Sequence, residues 1–421
     1  MRVYQLLLSI IALGVVVLAA DPHYNAFPTS ATACMKALFP SNDWNSTTYI
    51  CAETSRQESV VNCVATNGTT KEQLMTQRMV QDECDITPRK GPPLVEGATL
   101  APLLLTTIFF AIRITAKVFN LGGGWGMDDV TIIISWVMSI GLFVLNVYMI
   151  KYGFGKNIWD IPFDDITHFY KYFQGFAALY KIQISLAKIS VCLFLLRIFQ
   201  SRMFRTISYT LIAINASVGI TWALVDSLRC NPVHLAWDGW MNEYPGTCID
   251  FIDAILANCL VNIIVDAIMV IMPVYEVSKL QLPLWKKFTV GLMFVMGSVL
   301  TVIAIIRVVV FWNNRWGQNQ TAGIYPLIHW SVIESNVAVL CACLPASRAL
   351  INHFFPGIFR GSTRRTYATG PSNWYTKGQS QGQSKISKSV SYTVQYSSSS
   401  RRDDQNSMVE LVGVDGKPSH E

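Results

Sequence analysis

Charge is what this chain has least of. Asp, Glu, Lys and Arg make up 14% of its 421 residues, against about 25% in an ordinary soluble domain. That scarcity excludes a soluble domain as the main body of the protein. The formal net charge of +6 is too small to mark a nucleic-acid-binding chain. No His/Cys group has zinc spacing, and no nucleophile stands at a readable spacing from a base, so neither a metal centre nor an enzyme is expected. The glycine-rich stretch 121–129, LGGGWGMDD, lacks the Lys and Ser/Thr of a phosphate loop and follows no strand. It reads as a tight turn with Asp128 or Asp129 capping the next helix. No internal repeat is evident, which counts against a repeat-built transporter.

What is present in excess is apolar. Hydrophobic residues reach 51% and the mean hydropathy is +0.34. Residues 1–20 carry Arg2, an apolar run and a small-residue exit at Ala19 and Ala20, the pattern of a cleaved signal peptide. Residues 21–94 are polar and hold Cys34, Cys51, Cys63 and Cys84. Four cysteines in a short secreted segment imply two disulfides, with three pairings open. Sequons at Asn45 and Asn67 fall in the same segment, and a third stands at Asn319. Residues 70–83 have the composition of a small helix, with Leu74, Met79 and Val80 for one face.

Seven apolar segments follow, at about 95–118, 128–150, 168–197, 206–228, 250–275, 288–312 and 324–350, each near or above the ~20 residues that a span needs. An outside amino terminus puts Arg202, Arg205, Lys279, Lys286, Lys287, Arg360, Arg364 and Arg365 on the cytoplasmic side, as the positive-inside rule requires. Cys230 and Cys248 flank an outer loop and are expected to close it as a disulfide. Cys192, Cys259, Cys341 and Cys343 sit inside spans and read as packing residues. Residues 351–421, rich in Ser, Gly and Gln, are expected to form a disordered cytoplasmic tail. The fold class is therefore an all-α membrane protein: a seven-helix transmembrane bundle over 95–350, with a small disulfide-stapled ectodomain and that tail.

The informative chemistry is the charge inside the spans. The stretch from Phe169 to Phe199 alone carries two interior lysines, Lys181 and Lys188, and lipid offers such groups no partner. This helix is taken as the hub. Counted from the outer helix ends, Lys181 lies roughly 18 Å deep and Glu334 roughly 15 Å, which makes them a pair by depth. Lys188 and Asp266, at roughly 28 and 22 Å, make the second. Arg307 lies nearer the outer surface. Asn258, Asn262 and Asp266 recur at i, i+4, i+8 and form a polar stripe that faces protein or water. Two readings of these groups stay open: a polar pocket or relay, and interhelical glue.

The succession Asp128-Asp129; Tyr180, Lys188, Ser190 and Arg197-Ile198-Phe199; Cys230, Pro232, Trp237 and Cys248; Asn258, Asn262, Asp266 and Pro273; Gly297 and Arg307; Trp330, Glu334, Cys341, Pro345 and Arg348 resembles the fungal rhodopsin-domain integral membrane family. Its members are seven-helix, receptor-like proteins, many with a cysteine-rich CFEM ectodomain. Residues 21–94 resemble a degenerate CFEM segment. Such a domain has eight cysteines, and a haem-holding one has an Asp three residues before the fourth. If Cys51 is that fourth cysteine, Thr48 stands at the Asp position. Glu53 and Asn67 replace two further cysteines, so no haem is expected. The seventh segment contains no lysine, which leaves no amine for a retinal Schiff base. Leu196-Arg197-Ile198-Phe199 stands where an Asp-Arg-Tyr triplet would close the third helix, and no Asn-Pro-x-x-Tyr closes the seventh.

The resemblance implies a plasma-membrane receptor-like protein with its amino terminus outside. It would sense an extracellular ligand, contact membrane lipids and signal to a cytoplasmic partner. The alternative is a transporter or accessory protein associated with secondary-metabolite biosynthesis or export, with Lys181, Glu334, Lys188 and Asp266 as its path.

Overall fold

The computed structural model describes residues 26–39, 47–119, 124–199, 201–279, 284–314 and 319–354. The expected signal peptide, the sequon at Asn45 and the tail beyond residue 354 lie outside these. Four short helices come first: α1 Thr29–Leu38, α2 Thr47–Cys51, α3 Thr54–Asn67 and α4 Thr70–Glu83. Cystines Cys34–Cys63 and Cys51–Cys84 cross-link them around a core that includes Ala31, Met35, Ile50, Val60 and Val64. These helices are too short to hold together alone. The cystines close chain separations of 29 and 33 residues, and constraints of that kind stabilise by about 2–4 kcal/mol each.

In α4 the hydroxyl of Thr69 accepts from Glu72 N–H while the Glu72 carboxylate accepts from Thr69 N–H. This reciprocal cap starts the helix where the sequence pattern puts it. Leu74, Met79 and Val80 are all buried.

Seven helices among the described residues are long and apolar enough to cross a membrane. They are α5 Gly97–Val118, α6 Met127–Lys151, α7 Phe163–Ile198, α8 Arg202–Ser227, then, after a short α9 at Leu235–Asp238, α10 Phe251–Lys279, α11 Leu284–Asn314 and α12 Gln320–Phe354. The last helix continues four residues past the expected boundary at 350. Pro162 precedes the first turn of α7, whose Asp164 and Asp165 suit the positive end of the helix dipole. Prolines inside α5, α10 and α12 are tolerated because neighbouring helices can satisfy the freed backbone groups.

Burial separates the spans. In their most apolar windows α12 is 67% buried and α7 50%, while the others lie between 22% and 33%. The hub is therefore shared, and the expectation that α7 alone fills that role is corrected. The reason is composition. Lipid is as apolar as leucine, so helices meet through small and polar residues, and α12 carries Ser331, Ser335, Asn336, Ala338, Cys341, Ala342 and Cys343 along its length.

The cystine-linked cap is built onto the bundle. Arg78 Nη1 lies 2.9 Å from Asp160 Oδ1, Gln81 Nε2 donates to the same oxygen at 2.8 Å, and Trp159 Nε1 donates to Gln81 Oε1 at 2.8 Å. Arg78 and Gln81 belong to α4, and Trp159 and Asp160 to the loop between α6 and α7. Gly155 there has φ +90°, and a Cβ would lie 2.6 Å from Pro92 Cδ, so only glycine admits the linker between cap and bundle at that point.

Replacing Asp160 with Ala takes from buried Arg78 one of its two carboxylates, leaving Asp82, and takes from Gln81 Nε2 its acceptor, a change worth about 3 kcal/mol for the two losses together. Hydrogen exchange of amides 70–83 is expected to accelerate by about two orders of magnitude, while amides 130–148 of α6 stay protected. Equal exchange in the variant and the parent would contradict this docking.

Candidate ligand pocket and buried charge network

Lys181 and Lys188 stand seven residues apart on α7, two turns, so they project from one face. That face meets the polar stripe of α10. Lys188 Nζ lies 2.8 Å from Asp266 Oδ1 and donates to Asn262 Oδ1 at 2.9 Å. Asn262 Nδ2 donates to the Asn258 carbonyl at 2.9 Å, and Lys181 Nζ donates to Asn258 Oδ1. The stripe thus works as a row of acceptors for two lysines.

Glu334 has a different partner from the one expected. Arg307 Nη1 lies 3.0 Å from its Oε2, the Tyr180 hydroxyl donates to the same oxygen at 2.8 Å, and Arg307 also donates to Tyr180 Oη and, at 3.3 Å, to Cys259 Sγ. Arg307 and Glu334 are 3% and 1% exposed. The pairing of Lys181 with Glu334 is therefore corrected. Depth along a helix does not say which helices are neighbours, and a guanidinium on its long stem reaches across more than a turn. The successive helices α11 and α12 pack side by side, so the arginine of one takes the carboxylate of the other.

A second ionic cluster, not foreseen from the sequence, closes the end of the bundle away from the cystines. Arg113 of α5 lies 2.6 Å from Asp128 and 2.7 Å from Asp129, and Lys117 lies 2.9 Å from Asp129. Arg197 of α7 lies 3.0 Å from Asp128. Arg113 also donates to the Ala342 carbonyl of α12. Asp129 does accept from Gly126 N–H as a cap, but the acidic pair serves chiefly as the centre of this knot of four helices. The sequence holds one partial signal for it: Arg113 is a cation inside an apolar run and so needs a partner within the protein, but its spacing from the acidic doublet does not name that partner. Between the two clusters, Gln183 Nε2 donates to Ser139 Oγ at 3.0 Å and to the Ser335 carbonyl at 3.2 Å, so α6, α7 and α12 share a polar layer.

At the cystine end lies a chamber of about 390 Å³, within the range that small-molecule sites occupy. Phe173, Trp240, Phe311 and Leu327 give it mainly apolar walls. The cystine Cys230–Cys248 borders it and clamps a two-residue hairpin in register. A smaller well of about 50 Å³ shares Phe173 and Leu327 with the chamber. Along α10 the lining passes from Ile252 in the chamber to Cys259 in the well, along α11 from Phe311 to Arg307, and along α12 from Ile324 to Ser331. The displacement is one to two turns on every helix and in one direction, so the well lies beneath the chamber. Lys181, Asp226 and Arg307 all line it.

Asn67 is exposed at the end of α3. Asn319 is not placed as a glycan acceptor: its Nδ2 donates to Asn157 Oδ1 at 2.9 Å, its Oδ1 accepts from Ile158 N–H at 3.1 Å, and Thr321 of the same sequon is 0% exposed. This sequon is spent on tying the start of α12 to the loop before α7. Cys192, Cys259, Cys341 and Cys343 are buried free thiols, and no group of three potential metal ligands gathers among the described residues.

In a double-mutant cycle, Arg307→Met and Glu334→Gln are expected to couple by about 1–3 kcal/mol, read from unfolding in bicelles. Lys181→Met and Glu334→Gln should be additive. Coupling of Lys181 with Glu334 in place of Arg307 would overturn the assignment.

The profile described as "Fungal rhodopsin domain" matches residues 112–353 and leaves the cystine-linked cap outside it. Relatives include the "Polyenoic acids biosynthesis gene cluster protein Ba17b" of Metarhizium anisopliae, 24% identical over 60% of this chain and 72% of its own length. A "SAT4 family membrane protein" of Emericella nidulans is 26% identical over 55% of the chain and 58% of its own length. The "Receptor GIN3" of Arthrobotrys oligospora is 25% identical over 68% and 69%. The chain thus spans between about half and three quarters of these relatives' own lengths. No solved structure matches the chain significantly.

Proposed function

Because this chain belongs to the fungal rhodopsin domain family, we propose that it is a receptor-like protein of the fungal plasma membrane, with its cystine-linked end outside, that binds a small molecule in the chamber and reports it at the opposite end. The observation that carries the reading is one pair of helices joining both ends. On α7, Tyr180 and Lys181 border the well and Arg197 enters the far knot; on α12, Glu334 holds Arg307 and the Ala342 carbonyl receives Arg113. A ligand that moves Arg307 or Lys181 must therefore act on the helices that the knot restrains. One relative's name includes the word receptor, and the apolar run at 1–20, the cystines and the exposed sequon at Asn67 support the orientation.

A second reading has its own support. The stripe Lys181, Asn258, Asn262, Lys188, Asp266 runs along α7 and α10 as a chain of polar contacts, and relatives carry names of biosynthesis clusters. A transporter or an accessory protein of such a pathway would use this stripe as a proton path.

Coupling between two sites is reciprocal, so the receptor reading can be tested from the knot alone. In nanodiscs, Asp129→Asn is expected to change by several-fold the rate at which a thiol reagent modifies a cysteine placed at Ile324 in the chamber wall. Thr66→Ala, at an exposed position of the cap whose hydroxyl bonds only to the Asn62 carbonyl, serves as the control and should leave the rate alone. An unchanged rate in Asp129→Asn removes the coupling. Proton uptake by proteoliposomes that is lost in Asp266→Asn would favour the transport reading instead.

A further inference from the structure

The polar atoms at the bottom of the pocket define the kind of molecule it takes, given the reading of the chamber as a ligand site. Arg307 is fully buried, yet its Nε has no hydrogen-bond partner among the described residues, and neither has Asp226 Oδ2. Both residues line the well, as does Lys181, whose ammonium has three N–H groups of which one is directed to Asn258. Lys181 and Asp226 border the same small space. An unpaired polar group in a buried site costs about 1–3 kcal/mol. Three residues that line the well thus keep hydrogen-bonding capacity to spare, donors on Lys181 and Arg307 and an acceptor on Asp226, directly under an apolar chamber.

Charge decides among head groups. An anionic head would gain Lys181 and Arg229 but meet the carboxylates of Asp226 and Glu334; a cationic head would gain those carboxylates but meet Lys181, Arg229 and Arg307, in a setting where like charges repel strongly. A small uncharged head that both accepts and donates meets neither objection. Its oxygen accepts from Lys181 Nζ, and its N–H donates to the Asp226 carboxylate.

We propose that the chamber and well together bind an apolar-tailed primary amide or a head group of the same hydrogen-bonding pattern. The tail lies between Phe173, Phe311 and Leu327, and the amide sits in the well. Trp240 on the cystine-closed side covers the tail.

The test uses three probes with one tail, nonanamide, nonanoate and nonylammonium, on the full chain in nanodiscs, with the unfolding midpoint against probe concentration as the readout. Wild type is expected to bind nonanamide about ten-fold tighter than either charged probe. In Asp226→Asn the preference over nonanoate should fall to about parity or reverse, because the repelling carboxylate is gone. Lys181→Met should weaken nonanamide by about ten-fold, which keeps the test decisive if Asp226→Asn does not fold. Ile324→Trp, which fills the chamber, should abolish stabilisation by every probe. Stabilisation that survives Ile324→Trp reflects partitioning into lipid and overturns the proposal. A charged probe that binds wild type best overturns the head-group assignment while leaving the chamber a ligand site. If no probe stabilises wild type, the ligand-site reading falls with it.

Discussion

Every buried charge in this bundle has to find its counterpart inside the protein, because hydrocarbon offers none. Arg307 and Glu334 show what that demand does to a structure. The guanidinium of α11 reaches the carboxylate of α12 and the hydroxyl of Tyr180 on α7, so one interaction fixes the azimuth of three helices. Removing either charge leaves the other stranded, a cost of about 3–5 kcal/mol, which exceeds the typical contribution of a neutral interhelical hydrogen bond several times over. The Lys188–Asp266 pair and the knot around Arg113 impose the same condition at two other levels of the bundle. The spans are positioned by electrostatics first, and the small residues of α12 then let the backbones close around those positions.

The ends of the bundle differ in how tightly that demand is met. In the knot, Arg113 alone engages two carboxylates and a backbone carbonyl, and Lys117 and Arg197 take the remaining carboxylate oxygens of Asp129 and Asp128. In the well, Arg307 Nε and Asp226 Oδ2 are left over. Low dielectric makes a satisfied network rigid and an unsatisfied one costly. The contrast therefore marks one end as a fastening and the other as a place where the protein holds hydrogen-bonding capacity in reserve.

The seven spans were legible in the sequence because length and hydropathy are properties of single segments, and the helix over 70–83 because its cap, Thr69 with Glu72, is local. The contact between Lys188 and Asp266 followed from their similar depth, and the inward turn of the α10 stripe from its period of four residues. The partner of Glu334 was not legible. It depends on which helices lie side by side, and depth alone pointed to Lys181 and left Arg307 out. The knot was missed for another reason. The acidic doublet has a sufficient local reading as a helix cap, and nothing local ties it to a cation sixteen residues earlier or to Arg197. The partnering of Asn319 with Asn157 was hidden behind the sequon pattern it shares with a glycan acceptor. The shared role of α12 was written in its small residues, a signal that hydropathy averages away.

The two lysines of α7 also limit how that helix can move. They leave the axis in almost the same direction, two turns apart, and both end on acceptors of α10. Turning α7 about its own axis by the angle of a single residue, about 100°, would swing both ammonium groups away from those acceptors together. Tilting pivots about one contact and strains the other only slightly, and the flexible stems of both lysines absorb a slide of an ångström or two. The helix is free to rock and to slip, but spinning is forbidden to it.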